Sequence, residues 1–143
     1  MSQQHSRALP GEHVHITTHT WTEPFWQAAK EQRLVAAKCS DCSTFRMPPT
    51  PYCPQCQSQN TEWPQLSGMA TVYSFVVCDR SPFPGVDDFI YIPIVVEFED
   101  APGIRLVSNL VGVLPEDVRI GMPLQVDWNP IAEDWKQPIF RPA

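Results

Sequence analysis

Hydrophobic and polar positions divide the chain into a β-rich half, residues 67–143, and an N-terminal half with fewer apolar runs. In the β-rich half, short runs of β-branched and aromatic residues alternate with proline- and glycine-containing turns, a pattern typical of strands. No helical stretch between these runs is long enough for a parallel crossover, so antiparallel pairing is expected. The pattern predicts a small antiparallel barrel of about five strands. The runs span residues 70–79, 91–99, 104–113, 124–128 and 139–140.

The pattern of the N-terminal half predicts a polar arm followed by one helix. Residues 21–34 carry a partial apolar stripe that includes Phe25 and Trp26. We therefore expect an amphipathic helix that must pack on its own domain or on a partner, because a helix this short is marginal in isolation. Residues 1–20 are polar and contain all four histidines. The spacing of His13 and His15 could attract a metal, but no third ligand lies nearby in the sequence. We expect residues 1–20 to be a flexible arm.

Four of the five cysteines form two C-x-x-C pairs within residues 35–66. Each pair can place two thiolates on one face of a tight turn, and two facing turns supply a tetrahedral set of four sulfurs. A segment of this length buries too little apolar surface to fold alone, so metal ligation is expected to stabilise it. We predict a zinc ribbon with a structural Zn²⁺, and rubredoxin-like iron or redox dithiols are the alternatives. The expected ligands are Cys39, Cys42, Cys53 and Cys56.

Three further positions bear on the cysteine chemistry. Glycine often follows the second cysteine of such a turn, but here Ser43 and Gln57 stand there, so slightly strained turns are expected. The fifth cysteine, Cys78, lies in a predicted strand with no histidine in that half of the chain to act as a base. We expect Cys78 to be a buried core thiol and not a nucleophile.

Composition narrows the classes of function. The 16 prolines among 143 residues disfavour a helical bundle, because proline interrupts helices. The formal charge of −6 gives the chain little attraction for phosphate backbones, which argues against a general nucleic-acid module. The sequence has no apolar run long enough for a membrane span, and residues 1–20 lack the apolar core of a signal peptide. We therefore expect a cytoplasmic protein.

Little in the sequence points to catalysis. It contains no nucleophile-elbow, phosphate-loop or dinucleotide-binding motif. The acidic residues fall mostly in predicted loops, where solvation explains them, and they form no evident acid and base pair. We expect no catalysis by this chain alone. An electron carrier with iron is the alternative, and a visible absorption band would reveal it.

The order of these parts resembles that of a known family. The chain reads FWQAAKEQRL, then KCSDCSTFRMPPTPYCPQC, SGMATVYSF, YIPIVVEFE and RLVSNLVGVLPEDVRIGMPLQV, and it closes on PIFRPA. Over residues 21–142 it is similar to the zinc-ribbon/OB-fold proteins of domain of unknown function family 35. The resemblance implies a mainly β fold with an N-terminal helix at 21–34, a rubredoxin-like zinc ribbon at 35–66 and a five-stranded OB-fold barrel at 67–143.

The resemblance also implies a role beside an enzyme. Members of this family usually accompany acyl-CoA-handling enzymes of the thiolase fold as non-catalytic subunits. The partner is a thiolase, an acyltransferase or a lipid-transfer-type aldolase that cleaves side chains of steroid-like CoA thioesters. The family implies that the chain stabilises this partner in a hetero-oligomer and helps to hold the acyl-CoA. A self-sufficient acyl-CoA or lipid-binding protein is the alternative.

Two sets of candidate residues follow from these expectations. For the CoA thioester we name Arg46, Arg80 and Phe83, which flank the predicted junction of ribbon and barrel and its loop. For the partner we name the helix face around Phe25 and Trp26, because an amphipathic helix needs a surface to cover its apolar side.

Overall fold

The chain folds into one helix, a three-stranded sheet and a closed barrel in a computed structural model that describes residues 4–143. Helix α1 spans Glu23–Lys30. The strands are β1 (Ala37–Cys39), β2 (Phe45–Arg46), β3 (Thr61–Glu62), β4 (Met69–Phe75), β5 (Ile92–Phe98), β6 (Ala101–Leu110), β7 (Pro123–Pro130) and β8 (Lys136–Pro142). The sheet has the order β2-β1-β3, and the barrel has the order β4-β5-β6-β8-β7, with β7 paired to β4. The mainly β prediction with a five-stranded barrel is confirmed.

The barrel strands follow the alternation that a closed sheet requires. Ile92, Ile94 and Val96 of β5 point inward and are at most 1% exposed, while the residues between them are half-buried. The barrel neighbours pair antiparallel except β6 and β8, which run parallel. Strand β8 is longer than the two residues predicted, because each of its residues pairs with one of β7.

The helix, the start of the ribbon and the barrel share one hydrophobic core. Phe25 and Ala28 of α1 belong to the same buried cluster as Leu34 and Val35, which lead into the ribbon, and as Phe140 of the barrel. The short ribbon sheet has little apolar surface of its own. Contact with the barrel therefore anchors the two ends of the ribbon, whereas the short strands beside the cysteines gain little apolar burial from it.

Helix α1 is shorter than the predicted span of 21–34. Gln32 adopts the left-handed conformation with φ 59°, a common way to end a helix. The O atom of Leu34 then accepts a hydrogen bond from the N–H of Leu66 at 2.8 Å, so the chain is already extended there. In the part of the chain that the structure describes, no helix is long and apolar enough to cross a membrane.

The segment before the helix lies along the barrel. The N–H of Ser6 donates to Val113 O at 2.8 Å, and the N–H of Gly112 donates to Ser6 O at 2.9 Å. Ser6 is buried. The expectation of a flexible arm over 1–20 is thus corrected for residues 6–14, whose backbone bonds to the barrel and to Ala132, and the first three residues lie outside the described part. The reason is that backbone groups past the end of β6 offer hydrogen bonds that side-chain polarity does not reveal.

Gly11 determines how closely this segment approaches the barrel. A Cβ atom at Gly11 would lie 1.9 Å from Pro130 O, so a side chain there forces the two backbones apart. We expect Gly11→Ala to lower the free energy of unfolding by about 1–3 kcal/mol and to speed hydrogen exchange of the Gly112 amide. Glu12→Ala, a change at an exposed neighbour, is the matched control. Unchanged Gly112 exchange in Gly11→Ala would contradict this contact.

Candidate metal centre

Two hairpin turns bring four cysteines together at one end of the ribbon. Their sulfurs all lie within 4.8 Å of one another. The Cys39 and Cys56 sulfurs are 3.6 Å apart, and those of Cys42 and Cys53 are 3.5 Å apart. A tetrahedral zinc site with Zn–S bonds of about 2.3 Å has sulfurs about 3.8 Å apart. The donor set and its spacing therefore fit a structural Zn²⁺ with four thiolate ligands.

The backbone of each turn explains how the pairs face each other. In the first turn the N–H of Ser43 donates to Cys39 O at 3.0 Å, and in the second the N–H of Gln57 donates to Cys53 O at 2.9 Å. Ser43 and Gln57 both have positive φ, 66° and 61°. Glycine adopts this left-handed conformation without cost, whereas a residue with a Cβ atom is strained in it. The strain expected at both positions is therefore present.

The surroundings of the four thiols shift their pKa values in different directions. The backbone N–H groups of Cys56 and Gln55 favour the thiolate of Cys53 and lower the pKa of this thiol to about 6. The N–H of Ser58 also favours the thiolate of Cys56, but desolvation and the three neighbouring sulfurs outweigh it and raise its pKa to about 12. Four adjacent thiolates repel one another, and a divalent cation removes this repulsion by attracting all four.

An acidic side chain connects the two turns, and the sequence analysis missed it. Asp41 lies between the first two cysteines, and its carboxylate accepts hydrogen bonds from the Ser58 hydroxyl and from Asn60 Nδ2, the latter at 3.0 Å. These two donors hold the pKa of Asp41 below its usual range. Since Ser58 and Asn60 follow the second cysteine pair, Asp41 links the two halves of the metal centre across the sheet. No spacing rule identifies such a contact.

The structure corrects the assignment of Arg46 to CoA. Arg46 belongs to β2 and is 5% exposed. Its Nε donates to Thr50 O at 3.0 Å, and another guanidinium nitrogen donates to the Thr61 hydroxyl. The guanidinium therefore connects two segments of the ribbon and does not face solvent, where the phosphates of a ligand would be. Sequence alone cannot distinguish a buried arginine from an exposed one at the edge of a short strand.

Arg80 and Phe83 lie in the long loop between β4 and β5. Arg80 is exposed, whereas the ring of Phe83 is half-buried and stacks on the ring of His13 with centroids 5.0 Å apart. The loop is closed internally, because the N–H of Ser81 donates to the Asp88 carboxylate at 2.8 Å. The N-terminal segment thus covers one side of the loop, and Arg80 is exposed to solvent.

The helix face named for a partner is directed mainly into the protein. Phe25 is 6% exposed and belongs to the core, and the ring of Trp26 packs edge-on against it with centroids 5.1 Å apart. Trp26 is partly buried against the same core. The structure therefore corrects the assignment of Phe25, whose side chain is not available to a partner, because the barrel itself covers this face of α1.

Comparison with known proteins identifies the family. The family of ChsH2 rubredoxin-like zinc ribbon domains matches residues 26–62, and that of ChsH2 C-terminal OB-fold domains matches residues 63–129. A "DUF35 domain-containing scaffold protein" of Methanocaldococcus jannaschii is 32% identical over 112 residues, which are 76% of this chain and 77% of that protein. This chain belongs to the DUF35 family. Membership confirms the resemblance and the ribbon-plus-barrel architecture.

The chain is also similar to parts of two longer proteins and to a chain of a solved complex. The "Probable enoyl-CoA hydratase alpha subunit" of Thermomonospora curvata is 41% identical over 83% of the chain, and the "3-oxo-4,17-pregnadiene-20-carboxyl-CoA hydratase alpha subunit" of Mycobacterium tuberculosis is 32% identical over 82%. The chain spans 37% and 36% of their lengths. A chain of the solved "Ltp2-ChsH2(DUF35) aldolase" is 35% identical with a TM-score of 0.80, over 90% of this chain and 98% of that one.

Proposed function

We propose that this DUF35 chain is a non-catalytic subunit of a thiolase-like acyl-CoA enzyme. The chain stabilises the catalytic subunit and helps it to hold the acyl-CoA thioester. The observation that carries the proposal is the likeness to a chain of the Ltp2-ChsH2(DUF35) aldolase, which extends over nearly all of both chains. The name of the Methanocaldococcus relative, a scaffold protein, supports a role that is not catalytic. The metal centre agrees with such a role, since four thiolates leave zinc no open position for a reacting water.

The substrate class of the proposed enzyme is an acyl-CoA thioester. Both hydratase subunits act, by their names, on CoA thioesters, and one of these thioesters carries a pregnadiene skeleton. These names support an acyl-CoA and, more narrowly, a steroid side-chain thioester. A lipid-transfer-type aldolase is the partner class that the aldolase structure favours.

Native mass spectrometry of the chain, purified from its own cells without denaturation, tests the proposal. We expect a complex with a thiolase-sized subunit and one zinc ion per chain. Peptide sequencing then identifies the subunit, and turnover of an acyl-CoA by that subunit with and without this chain measures the support it provides. A lone monomer or homodimer that binds CoA with micromolar affinity in calorimetry would instead establish the self-sufficient binder.

Arg80 is the exposed cation of the two named for the thioester, since Arg46 is buried in the ribbon. If Arg80 meets a CoA phosphate within the complex, Arg80→Ala removes one charge-assisted contact. We expect KM for the acyl-CoA to rise about tenfold with kcat little changed. Arg33→Ala, which removes a partly exposed cation after α1, is the matched control. An unchanged KM in Arg80→Ala would exclude Arg80 from binding.

A further inference from the structure

An exposed apolar surface lies on the outer side of β4, β5 and β6. The strand register places Ser74 of β4 beside Val95 of β5, and Val95 beside Val107 of β6. Pairing continues past β4, where the N–H of Val76 donates to Pro93 O at 3.0 Å. Val107 is 75% exposed and Val76 is 58% exposed, and Val95 lies half-buried between them. With Tyr73, these three valines form what we name the outer barrel face.

The position of Tyr73 results from an irregularity in β4. The register with β5 shifts between Val72 and Ser74, so Tyr73 is the extra residue of a bulge. Bulges redirect side chains, and here both Tyr73 and Ser74 are exposed. The Tyr73 ring is 47% exposed although it is large and aromatic.

Two neighbouring contacts hold the tyrosine in place. The Arg105 guanidinium carbon lies 3.9 Å from the centroid of the Tyr73 ring, and Arg105 Nε donates to the Glu97 carboxylate at 3.0 Å. Tyrosine and arginine are enriched among the residues that contribute most to protein interfaces. A pair that is already ordered loses less conformational entropy when a partner covers it. The outer barrel face therefore combines exposed valines with a preordered tyrosine and arginine.

The charge around this face indicates what kind of partner fits it. Residues 67–143 contain eleven acidic and five basic residues, whereas the first 66 residues contain five of each. Beside the face, Glu97, Glu99 and Arg105 border a cleft of about 280 Å³. Arg105 neutralises Glu97, so Glu99 gives this border its net negative charge. A second copy of this chain, docked through the same face, would bring two such borders and two acidic barrels together. A different protein with basic residues around an apolar centre is complementary.

We propose that the outer barrel face binds the catalytic subunit, through an apolar segment of that subunit bordered by lysine or arginine. This inference rests on the proposed function and adds to it the surface and the chemistry of the contact. It also replaces the helix face around Phe25, which the core covers. The valines and Tyr73 form the buried centre of the contact, and the acidic border steers the approach of the two proteins.

Binding kinetics with the purified catalytic subunit test the proposal. Val107→Asp places a charge at the centre of the face, and because Val107 is exposed the free variant should keep its circular dichroism and its zinc. We expect its Kd for the subunit to rise at least about tenfold. Trp21→Asp is the matched control, since Trp21 is 46% exposed but precedes α1 and belongs to none of the three strands of the face. Its Kd should stay within about twofold of the unchanged chain.

Two further variants make the test robust. Glu99→Lys should lower the association rate at low salt, with the difference shrinking at high salt, because border charges act mainly on the encounter. Tyr73→Ala repeats the test on β4, at the other side of the face, if Val107→Asp fails to fold. Native affinity of the Val107 and Tyr73 variants would overturn the inference while leaving the proposed function intact. A free chain that is a dimer, and that Val107→Asp converts to a monomer, would assign the face to a second copy. Failure of the unchanged chain to bind any enzyme subunit would refute the proposed function as well.

Discussion

Removal of zinc from this chain is expected to unfold the ribbon, residues 35–66, while the barrel keeps its strands. The ribbon sheet consists of strands only two or three residues long, and the four cysteines lie together where its two turns meet. Structural zinc sites contribute on the order of 10–16 kcal/mol in small modules. That contribution exceeds what the short sheet and its hydrogen bonds can supply, so the ribbon should not survive without it.

A strong chelator, with zinc release followed by a colorimetric indicator, provides the measurement. Tryptophan emission should shift to the red, because Trp63 packs against the core just after β3 and becomes solvated when the ribbon unfolds. Cys53→Ser should reproduce this state without a chelator. Cys78→Ser is the matched control, since Cys78 lies outside the metal cluster and should leave one zinc per chain. Emission and circular dichroism that do not change on zinc release would refute a structural role for the metal.

Phe140→Ala is expected to lower the free energy of unfolding by about 3–5 kcal/mol, a large part of the stability of an ordinary domain. Phe140 is fully buried on β8, opposite Val126 of β7 and beside Leu110 of β6. Its ring centroid lies 6.2 Å from that of Phe98. Truncation therefore leaves a cavity where three strands meet, and a closed barrel can collapse only partly to fill it.

Urea unfolding of the zinc-saturated protein measures this effect through the transition midpoint. Val107→Ala is the matched control, because Val107 also belongs to the barrel but points to solvent, and its truncation should change the free energy by less than about 0.5 kcal/mol. Since Phe140 contacts the cluster that includes Phe25 of α1, the variant should also loosen the helix. A loss below about 1 kcal/mol would show that the core reorganises around the cavity.

Prediction from the sequence was most accurate where neighbours along the chain decide the structure. The two C-x-x-C turns depend on four-residue segments, so Cys39 and Cys42 could be assigned to one metal centre before any fold was known. The strain at Ser43 followed from the same local geometry. The five barrel strands followed from runs of β-branched residues between prolines and glycines, although β8 proved longer because its partner β7 extends along all of it.

The predictions from the sequence failed for residues whose contacts lie far away along the chain. Arg46 looked like a surface cation, yet Thr61, on another strand of the ribbon sheet, accepts its hydrogen bond. Phe25 looked available to a partner, yet the barrel covers it. Ser6 belongs to a polar segment, yet it is buried through backbone hydrogen bonds with Gly112, more than a hundred residues away. Composition carries no information about such pairings.

The sequence by itself determined which four cysteines cluster, the order of helix, ribbon and barrel, and the family to which these parts belong. These depend on spacing and periodicity, which act over a few residues and survive any change in distant packing. Only the tertiary structure decided which apolar side chains stay in water. Val107 and Val96 both lie in barrel strands, but closure of the barrel buries one and exposes the other. The outer barrel face therefore emerged only when three strands became neighbours, because adjacency between strands is a property of the fold.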